Sequence, residues 1–116
     1  MKMFQISDKI DNVSRIGIGC MRITGLSDEK AVRSLTEGAL ECGINFFDHA
    51  DIYAGGEAET LFGNALTPQL REKMVIQTKC AIRPGICYDF SKEYILNSVA
   101  QTKADTFETS VAGATK

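Results

Sequence analysis

Gly43-Ile44-Asn45-Phe46-Phe47-Asp48 is the stretch on which the fold turns. A glycine able to end a helix is followed at once by a short apolar run closed by a carboxylate, which is how a buried parallel strand reads. Working upstream, Val32, Leu35, Ala39 and Cys42 recur at helical spacing and predict an amphipathic helix, capped by Ser27 or Asp28 and stopped at Gly43. Before the turn Thr24-Gly25-Leu26 lies Ile16-Gly17-Ile18-Gly19-Cys20, a strand, and before that residues 3–7 and 12–15 flank the polar turn Asp8-Lys9-Ile10-Asp11 as a short hairpin. Working downstream, the Gly55-Gly56 loop leads into a second helix with an apolar face of Ala58, Leu61, Phe62, Ala65 and Leu66, ended by Thr67-Pro68. Residues 74–79 form a third strand, and Ser91 caps a third helix containing Tyr94, Ile95, Asn97, Ser98 and Val99.

A hairpin followed by strand and helix three times over predicts an α/β fold with parallel strands and right-handed crossovers. Residues 1–99 are expected to form this unit. Composition changes near Ala100, and residues 100–116, with Phe107 and Val111 as their large apolar members, are expected to form a polar, frayed tail.

At 116 residues, 44% hydrophobic and 24% charged, the chain has the composition of one globular domain. Thirteen basic against fifteen acidic residues, with no basic stripe, argue against a nucleic-acid partner. No segment approaches the ~18 apolar residues of a membrane span, and the start lacks the apolar core of a signal peptide, so a cytoplasmic location is the default. Cys20, Cys42, Cys80 and Cys87 show no CxxC pair and no histidines at zinc spacing, so neither a metal site nor disulfides are expected, and Cys42 reads as helix packing.

The chemistry lies at the strand ends. Asp48 and Lys79 close the second and third strands, and if those strands are neighbours, about 4.8 Å apart, the charges can pair. Parity places Phe46 and Asp48 on one face, with Val75, Gln77 and Lys79 on the same face of the next strand, away from the helices. In a closed barrel that face is the interior, where active sites gather at the C-terminal strand ends. Tyr53, five residues past Asp48, can lean back over them. A phenol beside an ammonium suits proton donation to a developing alkoxide, with the aspartate keeping the lysine charged.

Phe47-Asp48-His49-Ala50-Asp51-Ile52-Tyr53, Glu57-Ala58-Glu59-Thr60-Leu61-Phe62-Gly63 and Gln77-Thr78-Lys79, with Gly17-Ile18-Gly19-Cys20-Met21-Arg22 at the first strand, together resemble the aldo-keto reductases. The resemblance covers about residues 14–99, and its wording is most similar to a bacterial branch of predicted oxidoreductases. It implies the N-terminal part of a (β/α)8 TIM barrel, NADPH-dependent reduction of aldehydes or ketones, and a small-molecule carbonyl substrate. Tyr53 would be the proton donor, Lys79 would lower its pKa, and Asp48 would pair with the lysine. Cys20, Met21, Arg22 and Asp48 would lie at the nicotinamide end. The preference for NADPH over NADH is inherited from the resemblance alone.

The family's fourth catalytic residue is a histidine ending the fourth strand, where this chain offers Gln101-Thr102-Lys103-Ala104-Asp105. The chain is therefore expected to stop before that strand, to bind cofactor weakly and to be inactive alone. The alternative is a non-catalytic remnant or a module that self-associates through uncovered sheet edges. A frameshift or early stop as the source of the tail is a third reading. His49 is expected to be structural, Cys80 and Cys87 unreactive, and Asp51, Glu57 and Glu59 solvated charges near a helix start. Gly17-x-Gly19 does not open a helix directly, which argues against a Rossmann fold.

Overall fold

The computed structural model describes residues 1–26, 28–83 and 85–105. Ser27, one of the two expected caps, and positions 106–116 of the expected tail lie outside the described residues.

Strands β1 (Met3–Phe4) and β2 (Val13–Ser14) pair antiparallel, with Met3 opposite Ser14 and Phe4 opposite Val13. The expected hairpin is present, and its turn is tightened by the Ser7 hydroxyl, which accepts from the backbone N–H groups of Lys9 and Ile10. Three hydrogen bonds from Asn45 fasten the hairpin to the sheet. Its Oδ1 accepts from Ser14 N at 2.9 Å, its Nδ2 donates to Asn12 O at 2.7 Å, and its N–H donates to the Ser14 hydroxyl at 3.1 Å.

The sheet consists of β3 (Gly17–Gly19), β4 (Phe46–Asp48) and β5 (Val75–Gln77), all parallel, in that order. Register sets three rows across it: Gly17, Phe46, Val75; then Ile18, Phe47, Ile76; then Gly19, Asp48, Gln77. Side chains alternate between faces along a strand. The middle row therefore turns to the helices, where Phe47 and Ile76 are buried, while the outer rows share the opposite face. On that face the Phe46 ring lies so close over Gly17 that a Cβ there would meet Phe46 Cδ1 at 2.5 Å, so position 17 needs glycine. The regular part of the third strand, Val75–Gln77, is shorter than the expected 74–79.

Helix α1 (Glu29–Glu41) begins at Asp28, whose Oδ1 accepts from Ala31 N at 2.9 Å. It ends in a Schellman motif. Gly43, at φ 84°, donates to Leu40 O and Ile44 donates to Ala39 O. Val32, Thr36 and Ala39 form its buried side, whereas Leu35 and Cys42 are exposed, so Cys42 does not pack as expected. It is the terminal C-cap residue, where the helix has already left the core.

Helix α2 (Glu57–Ala65) lies beside α1, with Arg33 Nε donating to Ala65 O at 2.8 Å, and buries Ala58, Phe62 and Ala65. Phe62 stacks obliquely on Phe47, ring centroids 5.5 Å apart, at the centre of a core completed by Val32, Ile76, Leu66 and Met74. Pro68 ends α2's run as expected and also opens a helix the sequence reading missed, α3 (Pro68–Glu72). Thr67 caps it through its hydroxyl and proline occupies the first turn, where a missing N–H costs nothing.

Past β5 comes a second unanticipated element, the antiparallel pair β6 (Ile82–Arg83) and β7 (Cys87–Tyr88). Helix α4 (Lys92–Asp105) follows, with the Ser91 hydroxyl accepting from Tyr94 N. It runs through Ala100, so the composition change falls inside a helix. Among the described residues no helix is long and apolar enough to cross a membrane, and no group of His, Cys, Asp or Glu is arranged to hold a metal ion.

Candidate active site

The C-terminal ends of β4 and β5 bring Asp48 and Lys79 together. Lys79 Nζ donates to Asp48 Oδ1 at 2.8 Å and Oδ2 at 2.9 Å, and to the backbone oxygen of His49 at 2.7 Å. Asp48 also accepts from Gln77 Nε2 at 2.8 Å, across the row that register defines. The side chains of Asp48 and Lys79 are 31% and 46% exposed, open enough to meet a ligand while hydrogen bonds fix their orientation. Backbone bonds continue the ladder beyond the strands: His49 N donates to Gln77 O at 2.7 Å and Asp51 N to Lys79 O at 3.0 Å.

The turn at Tyr53–Gly56 aims the phenol. Ala54, Gly55 and Gly56 all take left-handed backbone angles, φ 53°, 65° and 99°, folding the loop back over the strand ends. Lys79 Nζ lies 5.3 Å from the centroid of the Tyr53 ring. Burial would lower the Lys79 pKa, but the hydrogen bond and charge of Asp48, joined by Tyr53, outweigh it and hold the ammonium above its ordinary value. The structure thus gathers Asp48, Tyr53 and Lys79 into one cluster.

Cys20, Met21 and Arg22 follow β3 on the same end of the sheet. Cys20 N donates to Asp48 O at 2.9 Å, but its side chain is wholly buried in the core, and burial, reinforced by the Asp48 charge, pushes the thiol up to about 12. Met21 and Arg22 are exposed.

His49 is buried against Phe62, ring centroids 4.4 Å apart, and neither ring nitrogen has a hydrogen-bond partner among the described residues. Burial lowers its pKa to about 4, so the ring is neutral near pH 7.

The expected solvation of the helix-start charges needs correction. Glu57 is exposed, but Asp51 is half-buried and its carboxyl is pushed up by burial, against backbone hydrogen bonds that lower it. Glu59 is only 2% exposed and accepts hydrogen bonds from the hydroxyls of Thr78 and Thr102, both buried. The signal was present in the spacing, since Glu59 precedes Phe62 and Gly63, both buried, by three and four residues and so shares their helix face.

A parallel three-stranded sheet backed by helices, with a lysine–aspartate pair and a tyrosine gathered at the C-terminal ends of its strands, defines the chain as an α/β protein with a polar cluster at the strand ends. The sequence profile described as "Aldo/keto reductase family" matches residues 15–110. The uncharacterized oxidoreductase YcsN of Bacillus subtilis is 40% identical over 115 residues, covering 88% of this chain and 38% of that protein. The 6-dehydroglucose reductase of Novosphingobium aromaticivorans is 40% identical, covering 83% and 36%. Among solved structures, aldo-keto reductase AKR11C1 from Bacillus halodurans, in its holo form, superposes with a TM-score of 0.75 at 33% identity, covering 93% of this chain and 37% of that one. The chain belongs to the aldo-keto reductase family and spans less than two fifths of the length of these relatives.

Proposed function

We propose that this chain contributes the proton-donating part of an NADPH-dependent carbonyl reductase site, with Tyr53 as donor, Lys79 as the cation that steadies its anion, and Asp48 as the anchor of Lys79. The observation that carries this is the triple fixing of Lys79 Nζ by both Asp48 oxygens and the His49 carbonyl, with the Tyr53 ring 5.3 Å away. An ammonium has no acceptor, so towards Lys79 the phenol oxygen can only accept, leaving its own proton to be directed at a substrate oxygen. As that proton leaves, the fixed positive charge stabilises the phenolate without reorganising.

The residues present fit the reacting end of the cofactor. Beside Asp48, Gly19 faces open space, since a Cβ there would meet nothing within 4 Å, and Met21 and Arg22 are exposed at the same end. Bound NADPH supplies the hydride that reduces the carbonyl carbon. Asp48, Met21 and Arg22 would border its nicotinamide, and Cys20 would contribute there through its backbone, its thiol being enclosed. The substrate class, an aldehyde or ketone, follows from the family. The 6-dehydroglucose reductases among the relatives make a carbonyl sugar one candidate.

Taken by themselves, these residues supply three of the family's four catalytic groups, and unaided turnover is not expected. The test is fluorescence titration of the chain with NADPH, with carbonyl reductase assays of the chain and of Tyr53→Phe. Weak or no binding up to about millimolar cofactor, where a matching Kd corresponds to only ~4 kcal/mol of binding free energy, is the expected result for the chain alone. Turnover that survived in Tyr53→Phe would overturn the assignment of the proton donor. A second reading, a self-associating module, is favoured by one observation: Phe4, Ile6 and Ile16 are 47%, 47% and 58% exposed around the hairpin beside the sheet's open face.

A further inference from the structure

We propose that Glu59 is a positioning residue for Lys79, acting through Thr78. The inference rests on reading Lys79 as the group that steadies Tyr53. Thr78 lies between Gln77 and Lys79, in the extension of β5, and its side chain bonds on the opposite side from both. On the inner face, Gln77 and Lys79 are tied to Asp48. On the outer face, Thr78 donates its hydroxyl to Glu59 of α2. The strand end carrying Lys79 is thus held from both sides.

A glutamate side chain this deeply buried is costly to desolvate and stays in place only when hydrogen-bonded. Glu59 takes two hydroxyls, Thr78 just past β5 and Thr102 from α4, both about as buried as itself. The Thr102 bond joins helix to helix. The Thr78 bond fixes the residue next to the catalytic cation, and the Lys79 carbonyl is held in turn by Asp51 N. Losing it lets the strand end drift, lengthening the contacts of Lys79 Nζ with Asp48 and the His49 carbonyl.

The two hydroxyls separate positioning from stability. The titration of the Lys79 side chain is followed by NMR in the lysine-labelled chain, with its resonance assigned by Lys79→Arg, alongside thermal unfolding of every variant. Asp48→Asn is the control and lowers the Lys79 midpoint strongly. Thr78→Val and Glu59→Gln lower it in the same direction, by about half a unit, whereas Thr102→Val reduces stability and leaves Lys79 in place. A Lys79 midpoint unmoved by Thr78→Val, whatever happens to stability, overturns the proposal while leaving the Asp48–Lys79 site intact. A midpoint unmoved even by Asp48→Asn removes the site reading as well. If Glu59→Gln does not fold, Thr78→Val decides alone.

Discussion

The His49 imidazole sits where a proton is unwelcome, packed on Phe62 with both nitrogens unpartnered among the described residues. Its folded pKa of about 4 lies below its unfolded value of about 6.5. Below pH 6.5 the unfolded chain therefore binds a proton that the folded chain refuses. Stability is full above pH 6.5 and is lost as pH falls towards 4. Between pH 7 and pH 5 the loss comes to about 2 kcal/mol, at about 1.4 kcal/mol per pH unit. Urea unfolding at the two pH values measures it, and His49→Leu should remove most of the difference; an equal difference in that variant would assign the effect to other groups. The sequence led to the expectation of a structural His49, and the ring is buried; it singled out Asp48 and Lys79 as candidates because charges at strand ends are conspicuous against apolar runs, and Tyr53 by its place in the loop that follows. It concealed Glu59, because a glutamate in a helix's first turn is ordinarily a solvated partner of the helix dipole, and only its shared face with Phe62 and Gly63 argues otherwise.

Helix α1 owes its limits to two residues, and each is open to test. Asp28→Ala removes the acceptor for Ala31 N and is expected to cost about 1 kcal/mol. Gly43→Ala puts a side chain at φ 84°, where the new Cβ would also come within 2.9 Å of Met1 Cβ, and should cost at least about 1 kcal/mol. Denaturant midpoints of both variants check this, and a Gly43→Ala chain as stable as its parent would contradict the left-handed stop. The helices α1, α2 and α4 were legible from apolar residues at helical spacing, the parallel strands from short apolar runs closed by a charge or a glycine, and the hairpin at the start from the polar turn Asp8-Lys9-Ile10-Asp11 between its arms. The short α3 and the pair β6–β7 were not. Five residues, or two strands of two, are too brief to establish a period, and proline after α2 reads as a stop before it reads as a start.

At the scale of the molecule, the helix side of the sheet is closed by a core around Phe47 and Phe62, while the other face, bearing Phe46, Asp48, Val75 and Gln77, is only partly covered. We expect the chain to associate with itself as its concentration rises, the hairpin's exposed Phe4, Ile6 and Ile16 lying beside that face. Sedimentation velocity across a hundredfold concentration range would show it, and Phe4→Lys with Ile16→Lys should suppress it; a single monomeric species throughout would rule it out. This asymmetry was foreseeable from strand parity, but the attachment of the hairpin was not, since nothing in the letters says that Asn45 binds residues some thirty positions earlier. That attachment imposes an order in time. The hairpin is made before its clamp, which follows Ser14 by 31 residues. At about 5–20 residues per second of synthesis, the opening strands wait roughly two to six seconds for the residue that seats them.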